Sequence, residues 1–212
     1  MFDSIVSILR LPDLRNRILF TLALLSVYRL GIFIPAPGVD RIALSEFFAD
    51  TQGTLLSLYN MFSGGALEQF SVFVLGIMPY ISASIIMQLA QVIFPRIERL
   101  RSEGQSGRKK INQYTRYGTV FLSMVQAIGI SVWLQDIRDD LGRSAVVDPG
   151  PGFVFLTVIT MTTGTIFLMW LGEQISSRGV GNGISLIITA GIIANLPSAV
   201  VSTLQLGRTG EI

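Results

Sequence analysis

An uncharged run of 25 residues, Phe70–Phe94, carries a proline, Pro79, near its middle. The run is longer than the roughly 20 residues that a helix needs to cross the hydrocarbon core of a bilayer. Pro79 lacks a backbone donor and is expected to kink the helix, which membrane proteins tolerate where neighbouring groups bond the freed carbonyl. A helix that only sits in lipid needs neither this break nor polar residues such as Ser82, Ser84 and Gln88. The run therefore predicts a working part of a membrane protein with several spans.

Four further stretches are long and apolar enough to be read as spans. A mean hydropathy of +0.58 with 14% charged residues excludes most soluble domains of this length. Arg29, near the end of the first span, is expected to reach the membrane interface with its long side chain. We predict an all-α, polytopic bundle of membrane helices with spans at 18–34, 70–94, 117–135, 150–172 and 179–207.

The lysines and arginines predict the orientation of the chain, because cytoplasmic segments carry an excess of them. With the N-terminus inside, eleven of the sixteen fall on the cytoplasmic side, seven of them in the segment 95–116. Four aspartates gather in the outer loop 136–149. We expect a multi-pass membrane protein with a cytoplasmic N-terminus and residue 212 on the outer side.

The chain contains no histidine and no cysteine, and the interiors of spans two to five contain no charged residue. These absences remove the commonest general base, the thiolate nucleophile and the usual residues of a proton relay. We therefore expect no enzymatic activity, no metal site and no cofactor.

Two segments outside the spans allow two interpretations each. In residues 1–13 the apolar side chains share one helical face, with Pro12 as a stop, which predicts an amphipathic helix on the cytoplasmic surface; a frayed terminus is the alternative. The segment Thr51–Leu67 is uncharged but rich in Gly and Ser. It fits a short half-inserted helix, or an ordinary external loop.

Two pairs of isoleucines are spaced four residues apart, so each pair shares a helical face: Ile77 with Ile81, and Ile184 with Ile188. Isoleucines in a membrane helix mostly face lipid or a neighbouring helix. If these four faced a pore, they would form an apolar constriction that excludes ions by dewetting.

The segment 95–116 is the most basic part of the chain, and the positive-inside rule accounts for its charge. The functional alternative is a docking face for an anionic partner, such as ribosomal RNA or an acidic protein surface. Gly104 and Gly107 predict a hairpin tip between two helix ends. Farther along, the glycines at 179–183 predict a tight connection between spans rather than a phosphate loop, since no Lys–Ser/Thr pair follows them.

Six runs together resemble the SecY family of channel subunits of the bacterial protein translocase. They cover essentially the whole chain in the family's order: FIPAPGVD (33–40), NMFSGGAL (60–67), LGIMPYISASIIMQL (75–89), EGQSGRKKINQYTRYG (103–118), FLMWLGEQISSRGVGNGIS (167–185) and AGIIANLP (190–197). The resemblance reaches spans one to five of the family's ten. It implies that residues 14–212 form the N-terminal half of an inverted-repeat channel whose C-terminal half, spans six to ten, is missing here.

The resemblance also implies roles for particular residues. The segment 51–69 resembles the plug that closes the external funnel, with Leu55, Asn60, Phe62, Ser63, Gly64 and Gly65 as its distinctive positions. The isoleucines at 77, 81, 184 and 188 resemble the apolar pore ring. Spans two and three resemble one side of a lateral gate, represented by Pro79, Ser82 and Gln88. The basic residues implied for docking of cytoplasmic partners are Arg108, Lys109 and Lys110.

The implied function is a protein-conducting channel that passes unfolded secretory polypeptides and releases membrane segments laterally into lipid. The implied partners are the small subunits SecE and SecG, the motor ATPase SecA and/or the ribosome, signal sequences, nascent polypeptides and membrane lipid. Two alternatives stand beside it: half of an inverted-repeat small-solute transporter, with broken spans two and five forming its site, and a membrane scaffold without a conduit.

Overall fold

The computed structural model describes residues 11–40, 44, 60, 63–138, 144–194 and 196. Six helices have defined bounds in this part of the chain, which also contains three isolated antiparallel bridges and no named strand. The prediction of an all-α fold is confirmed. The helices are α1 (Pro12–Ile32), α2 (Met78–Ile93), α3 (Pro95–Ser102), α4 (Gln105–Asp136), α5 (Pro151–Arg178) and α6 (Gly183–Ala194).

The helices α4 and α5 are each long and apolar enough to cross a membrane; α4 contains the predicted span three, and α5 contains the predicted span four except Gly150, which directly precedes it. The bent pair α2 and α3 is a third candidate if it counts as one span. The shorter α6 begins span five, whose later part, including Pro197, lies outside the described residues. The helix of span one, α1, carries arginines at 15, 17 and 29. Two or three spans are thus supported among the described residues, and the count of five stays a prediction.

Pro79 does not kink a helix, so that prediction is wrong. Residues 70–77 form turns, and α2 begins at Met78 with Pro79 in its first turn. A proline is tolerated there because the first backbone N–H groups of a helix have no helical partner. The sharp bend of this region lies instead at Phe94, where α3 leaves α2 at 98°. Pro95 explains the bend, because a proline disfavours the helical conformation in the residue before it, and Phe94 is extended.

The segment 95–116, predicted as a loop, is helical apart from a turn at Glu103 and Gly104. Gly104 has φ 74°, a conformation that favours glycine, so the chain reverses there between α3 and α4. Gly107 was predicted at the hairpin tip but lies in the first turn of α4. It contacts the Leu100 carbonyl so closely that a side chain would not fit.

The N-terminal boundary also differs from the prediction. Helix α1 begins at Pro12, two residues before the predicted boundary at 14. Residues 1–10 of the predicted amphipathic helix lie outside the described residues.

Helix α4 packs on α5 and α2 along a row of buried residues spaced four apart. Small side chains let membrane helices approach closely. Close packing is what holds the helices together, because lipid is as apolar as leucine and gives no hydrophobic driving force between them. All four hydroxyls in the row donate to carbonyls of the same helix, at distances between 2.8 and 3.0 Å. The row consists of Gly107, Ile111, Thr115, Thr119, Ser123, Ala127 and Ser131.

The turns at 70–77 are buried between α1 and α5. The Phe73 ring lies against Gly31 of α1, where an added side chain would collide with it. The same ring stacks on Tyr28 at 6.2 Å between ring centroids and on Phe167 of α5 at 5.9 Å. This wedge fixes the start of α2, and with it the first isoleucine pair, relative to α1 and α5.

Candidate functional site

The four isoleucines of the two pairs lie in one apolar cluster. Ile77 caps the start of α2 and is buried, whereas Ile81, Ile184 and Ile188 are partly buried. The second pair lies in the first turns of α6. The fold thus brings together two pairs that are far apart in the sequence.

Three of the four isoleucines share one cavity. Ile77, Ile81 and Ile188 line an apolar space of about 180 Å³ together with Ser63. Ile184 instead lines a polar cavity of about 500 Å³ beside Tyr80 and the α4–α5 junction. The isoleucines therefore form one apolar surface in which three face a common space and the fourth lies at its edge.

The described part of the predicted plug is a folded turn beside that cavity. The Asn60 amide donates to Glu68 Oε2 at 3.2 Å, and the Glu68 backbone N–H donates to Asn60 Oδ1 at 3.1 Å. The Ser63 hydroxyl donates to the Asn60 carbonyl at 3.0 Å. Gly64 and Gly65 have φ of 70° and 87°, which side-chain-bearing residues rarely adopt. The other two predicted plug positions, Leu55 and Phe62, lie outside the described residues.

Two residues of α1 bind this turn through its backbone. The Tyr28 hydroxyl donates to the Ser63 carbonyl at 3.3 Å, and Arg29 Nη1 donates to the Gly64 carbonyl at 3.1 Å. Gly64 also lies against α6, because a Cβ built on it would come within 3.0 Å of Gly191 Cα. Sequence reasoning missed these contacts, since they join residues 35 positions apart.

The three residues predicted for the lateral gate differ in their surroundings. On α2, Pro79 is buried, Ser82 is half-buried and Gln88 is exposed, its amide donating to the Ser84 hydroxyl at 3.2 Å. Gln88 lines a cavity of about 670 Å³ that opens beside Arg108. Their assignment to a gate stays a prediction.

The predicted docking residues lie together in the first two turns of α4. Arg108 lines the 670 Å³ cavity with Arg101 of α3, and Lys109 is exposed. Lys110 Nζ lies 3.6 Å from Glu103 Oε2 across the reversal. The cluster presents several cations at one end of the helices, and its partner stays a prediction.

An ion pair that sequence reasoning missed joins α4 to α5. Arg116 Nε donates to Glu173 Oε1 and Arg116 Nη2 to Glu173 Oε2, both at 2.8 Å. Such a bidentate geometry is the strongest form of the arginine–carboxylate contact. The residues are 57 positions apart, so no local spacing pairs them. The available signal was their opposite charge at the same predicted end of neighbouring spans.

The connection between α5 and α6 is tight, as the glycines predict. The Val180 N–H donates to Thr21 Oγ1 of α1 at 3.0 Å, and the Gly183 N–H donates to Ser176 Oγ at 2.8 Å. Asn182 Oδ1 accepts from the backbone N–H groups of Ile184 and Ser185, at 3.0 and 3.3 Å, and so caps α6. These bonds set where the second isoleucine pair begins.

Apolar helices, three isoleucines around one apolar cavity and a glycine-containing turn beside it are the features of a helical membrane protein. The SecY family model matches residues 71–212, which is more than half of the chain. The chain belongs to the SecY family.

Curated relatives agree with this membership. The chain is 50% identical over 202 residues to protein translocase subunit SecY of Escherichia coli (strain K12), covering 95% of this chain and 45% of that protein. It is 53% identical over 203 residues to the subunit of the same name from Pseudomonas aeruginosa, covering 95% of this chain and 44% of that protein. The chain thus spans a little under half the length of these relatives and matches their N-terminal half.

Solved structures support the fold. A protein-conducting channel matches with a TM-score of 0.57 and 19% identity, over 84% of this chain and 36% of the other. Sec61 in the canine ribosome–channel complex from the endoplasmic reticulum matches with the same values.

Proposed function

We propose that this chain is the N-terminal half of a protein-conducting channel subunit, a conduit for unfolded secretory polypeptides with no catalysis of its own. The observation that carries the proposal is the meeting of Ile77, Ile81 and Ile188 around one apolar cavity, with Ser63 of the plug turn on its wall. The relatives named as translocase subunits support it.

An apolar constriction suits this task for a physical reason. A conduit for polypeptides must accept varied side chains and still hold an ion gradient. Flexible apolar side chains can close around any backbone without a strong binding site, and a narrow apolar passage excludes ions because it does not stay wet. A ring of charges would retain some substrates and conduct ions.

We propose further roles for the surrounding segments. The turn around Ser63 and Gly64 is the inner end of the plug, and α2 with α4 forms one side of the lateral gate, through which signal sequences and membrane segments reach lipid. The cations of 108–110 form the docking face for cytoplasmic partners. The protein lies in the inner membrane, with its N-terminus inside and residue 212 outside. The partners proposed are a second half of five spans, SecE and SecG, and SecA and/or the ribosome.

A photo-crosslinker at position 81 tests the proposal in the assembled channel, meaning this chain with the second half and small subunits proposed for it. With a secretory polypeptide arrested in transit, we expect the crosslinker to capture that polypeptide. The matched control places the crosslinker at Phe155 of α5, which is 69% exposed and is expected to capture lipid alone.

Absence of the polypeptide adduct at position 81, with export intact, would overturn the proposal. Saturable uptake of a small solute without that adduct would support the transporter alternative instead.

A further inference from the structure

The Arg116–Glu173 ion pair joins α4, on which α2 packs, to the end of α5 that contacts α6. Its two 2.8 Å hydrogen bonds fix both the distance and the rotation of the two side chains. The Glu173 side chain is 31% exposed and the Arg116 side chain 51% exposed, so the pair borders the polar cavity rather than being enclosed. A contact of this geometry between two spans holds one turn of α5 in register with α4.

That turn of α5 is also in close contact with the start of α6. Gly172, the residue before Glu173, contacts the Ile184 side chain so closely that an added Cβ would collide with it. Gly183 in turn lies against the Gly172 carbonyl, where a side chain would not fit. Ser176 joins the two, donating to the Gly172 carbonyl at 2.9 Å and accepting from the Gly183 N–H at 2.8 Å. A shift of Glu173 along α4 would therefore carry Ile184 with it.

The first isoleucine pair borders the same place. Tyr80 of α2, which lies in sequence between Ile77 and Ile81, lines the polar cavity with Arg116 and Glu173 and packs in the isoleucine cluster. Helix α2 also packs on α4. The ion pair therefore links α5, against which the second isoleucine pair lies, to α4, which supports the first pair.

We propose that Arg116 and Glu173 are positioning residues for the pore constriction, holding the α6 isoleucines at a fixed distance from the α2 isoleucines. This rests on the proposed function, since it assigns the ion pair to the same constriction. Neither residue touches the apolar cavity itself, so the pair acts through Gly172, Ser176 and Ile184. Loss of the pair leaves the end of α5 held on α4 by helix packing alone, and the constriction of the resting channel then seals less well.

The test measures ion efflux from vesicles that contain the resting assembled channel, normalised to the amount of channel. The single reversals Arg116→Glu and Glu173→Arg should each raise efflux several-fold. The double variant Arg116→Glu/Glu173→Arg restores opposite charges and should return efflux towards the original level. Asp13→Lys, which reverses one charge of the exposed Asp13–Arg17 pair on α1, is the matched control and should leave efflux unchanged.

A second variant keeps the proposal testable if a reversal prevents folding. The chain has no native cysteine, so Arg116→Cys/Glu173→Cys can be bridged specifically by a short bis-maleimide. Efflux should be high before bridging and fall after it.

Two outcomes would overturn the positioning role: unchanged efflux in both single reversals, or raised efflux that neither the double reversal nor bridging lowers. Ile81→Ser, measured in parallel, separates this failure from that of the proposed function. If Ile81→Ser leaks and the reversals do not, only the positioning role fails; if Ile81→Ser does not leak, the constriction itself is misassigned.

Discussion

Arg29 Nη1 of the first helix donates a 3.1 Å hydrogen bond to the carbonyl oxygen of Gly64. An arginine in a predicted span is therefore bonded to the backbone of the turn that borders the isoleucine cavity. The neighbouring Tyr28 hydroxyl bonds the carbonyl just before, that of Ser63. Because both contacts go to backbone atoms, they hold the position of the turn whatever its side chains are.

Arg29→Met should weaken the hold on the plug turn. A hydrogen bond from a charged group contributes about 1.5–3 kcal/mol, so its loss raises the population of displaced plug about tenfold or more. We expect higher ion efflux from vesicles with the resting assembled channel. Ser26→Ala on the same helix is the control, because the Ser26 hydroxyl donates to the Leu22 carbonyl of its own helix. Equal efflux from Arg29→Met and the unchanged protein would show that the Arg29–Gly64 hydrogen bond does not hold the turn in place.

Gly64→Ala should displace the plug turn more than Gly65→Ala does. Both positions have positive φ, so alanine costs each about 1–2 kcal/mol of backbone strain. A Cβ on Gly64 also meets Gly191 Cα at 3.0 Å, whereas a Cβ on Gly65 has nothing within 4 Å. The efflux assay and the midpoint of heat unfolding measure the difference. If the two variants behave alike, the close approach of the plug turn to α6 has no consequence.

The isoleucines should not contribute equally to the seal. Ile81→Ser and Ile188→Ser each place a hydroxyl in the shared apolar cavity, which favours water there and should raise resting efflux. Ile184→Ser alters the wall of the neighbouring polar cavity and should raise efflux less. The ion conductance of the resting assembled channel, measured for each of the three single variants, gives their order. A larger effect at Ile184 would mean that the ring in the assembled channel is arranged differently from the three-residue cavity.

Asn182→Ala should destabilise the start of α6. It removes the side-chain oxygen that accepts from two backbone N–H groups, and loss of such a cap costs about 1 kcal/mol. Asn182→Asp keeps the acceptor and is the matched control. The midpoint of heat unfolding in detergent should fall for Ala and hold for Asp. A fall of the same size in both would show that the amide nitrogen, not the oxygen, is what matters.

Sequence reasoning located spans three and four because long apolar runs are governed by local composition alone. It misplaced the bend of the second span because the effect of a proline depends on what precedes it. Pro79 lies in the first turn of α2, where it breaks no helical hydrogen bond, while Pro95 ends the helical conformation at Phe94. Sequence reasoning predicted a loop for the basic segment because its many charges and its glycines resemble a connection between spans. The structure has helical residues on either side of Gly104.

The candidate site was partly accessible from sequence. The spacing of the isoleucines predicts two shared faces, and the family resemblance brings the two pairs together. The bonds that position them, from Arg29 to Gly64 and from Arg116 to Glu173, join residues 35 and 57 positions apart. Contacts at such separations depend on how helices pack, which no local pattern specifies.

The right-angled bend at Phe94 has a mechanical consequence. If α2 runs across the bilayer, a 98° turn lays α3 along the headgroups, with three arginines among its eight residues. Pulling α2 lengthwise towards the other side would drag those charges into hydrocarbon, at about 2.5–3.5 kcal/mol for each. The short helix α3 thus anchors α2 at the membrane surface. It resists lengthwise movement of α2, which begins directly after Ile77 and carries Ile81 in its first turns.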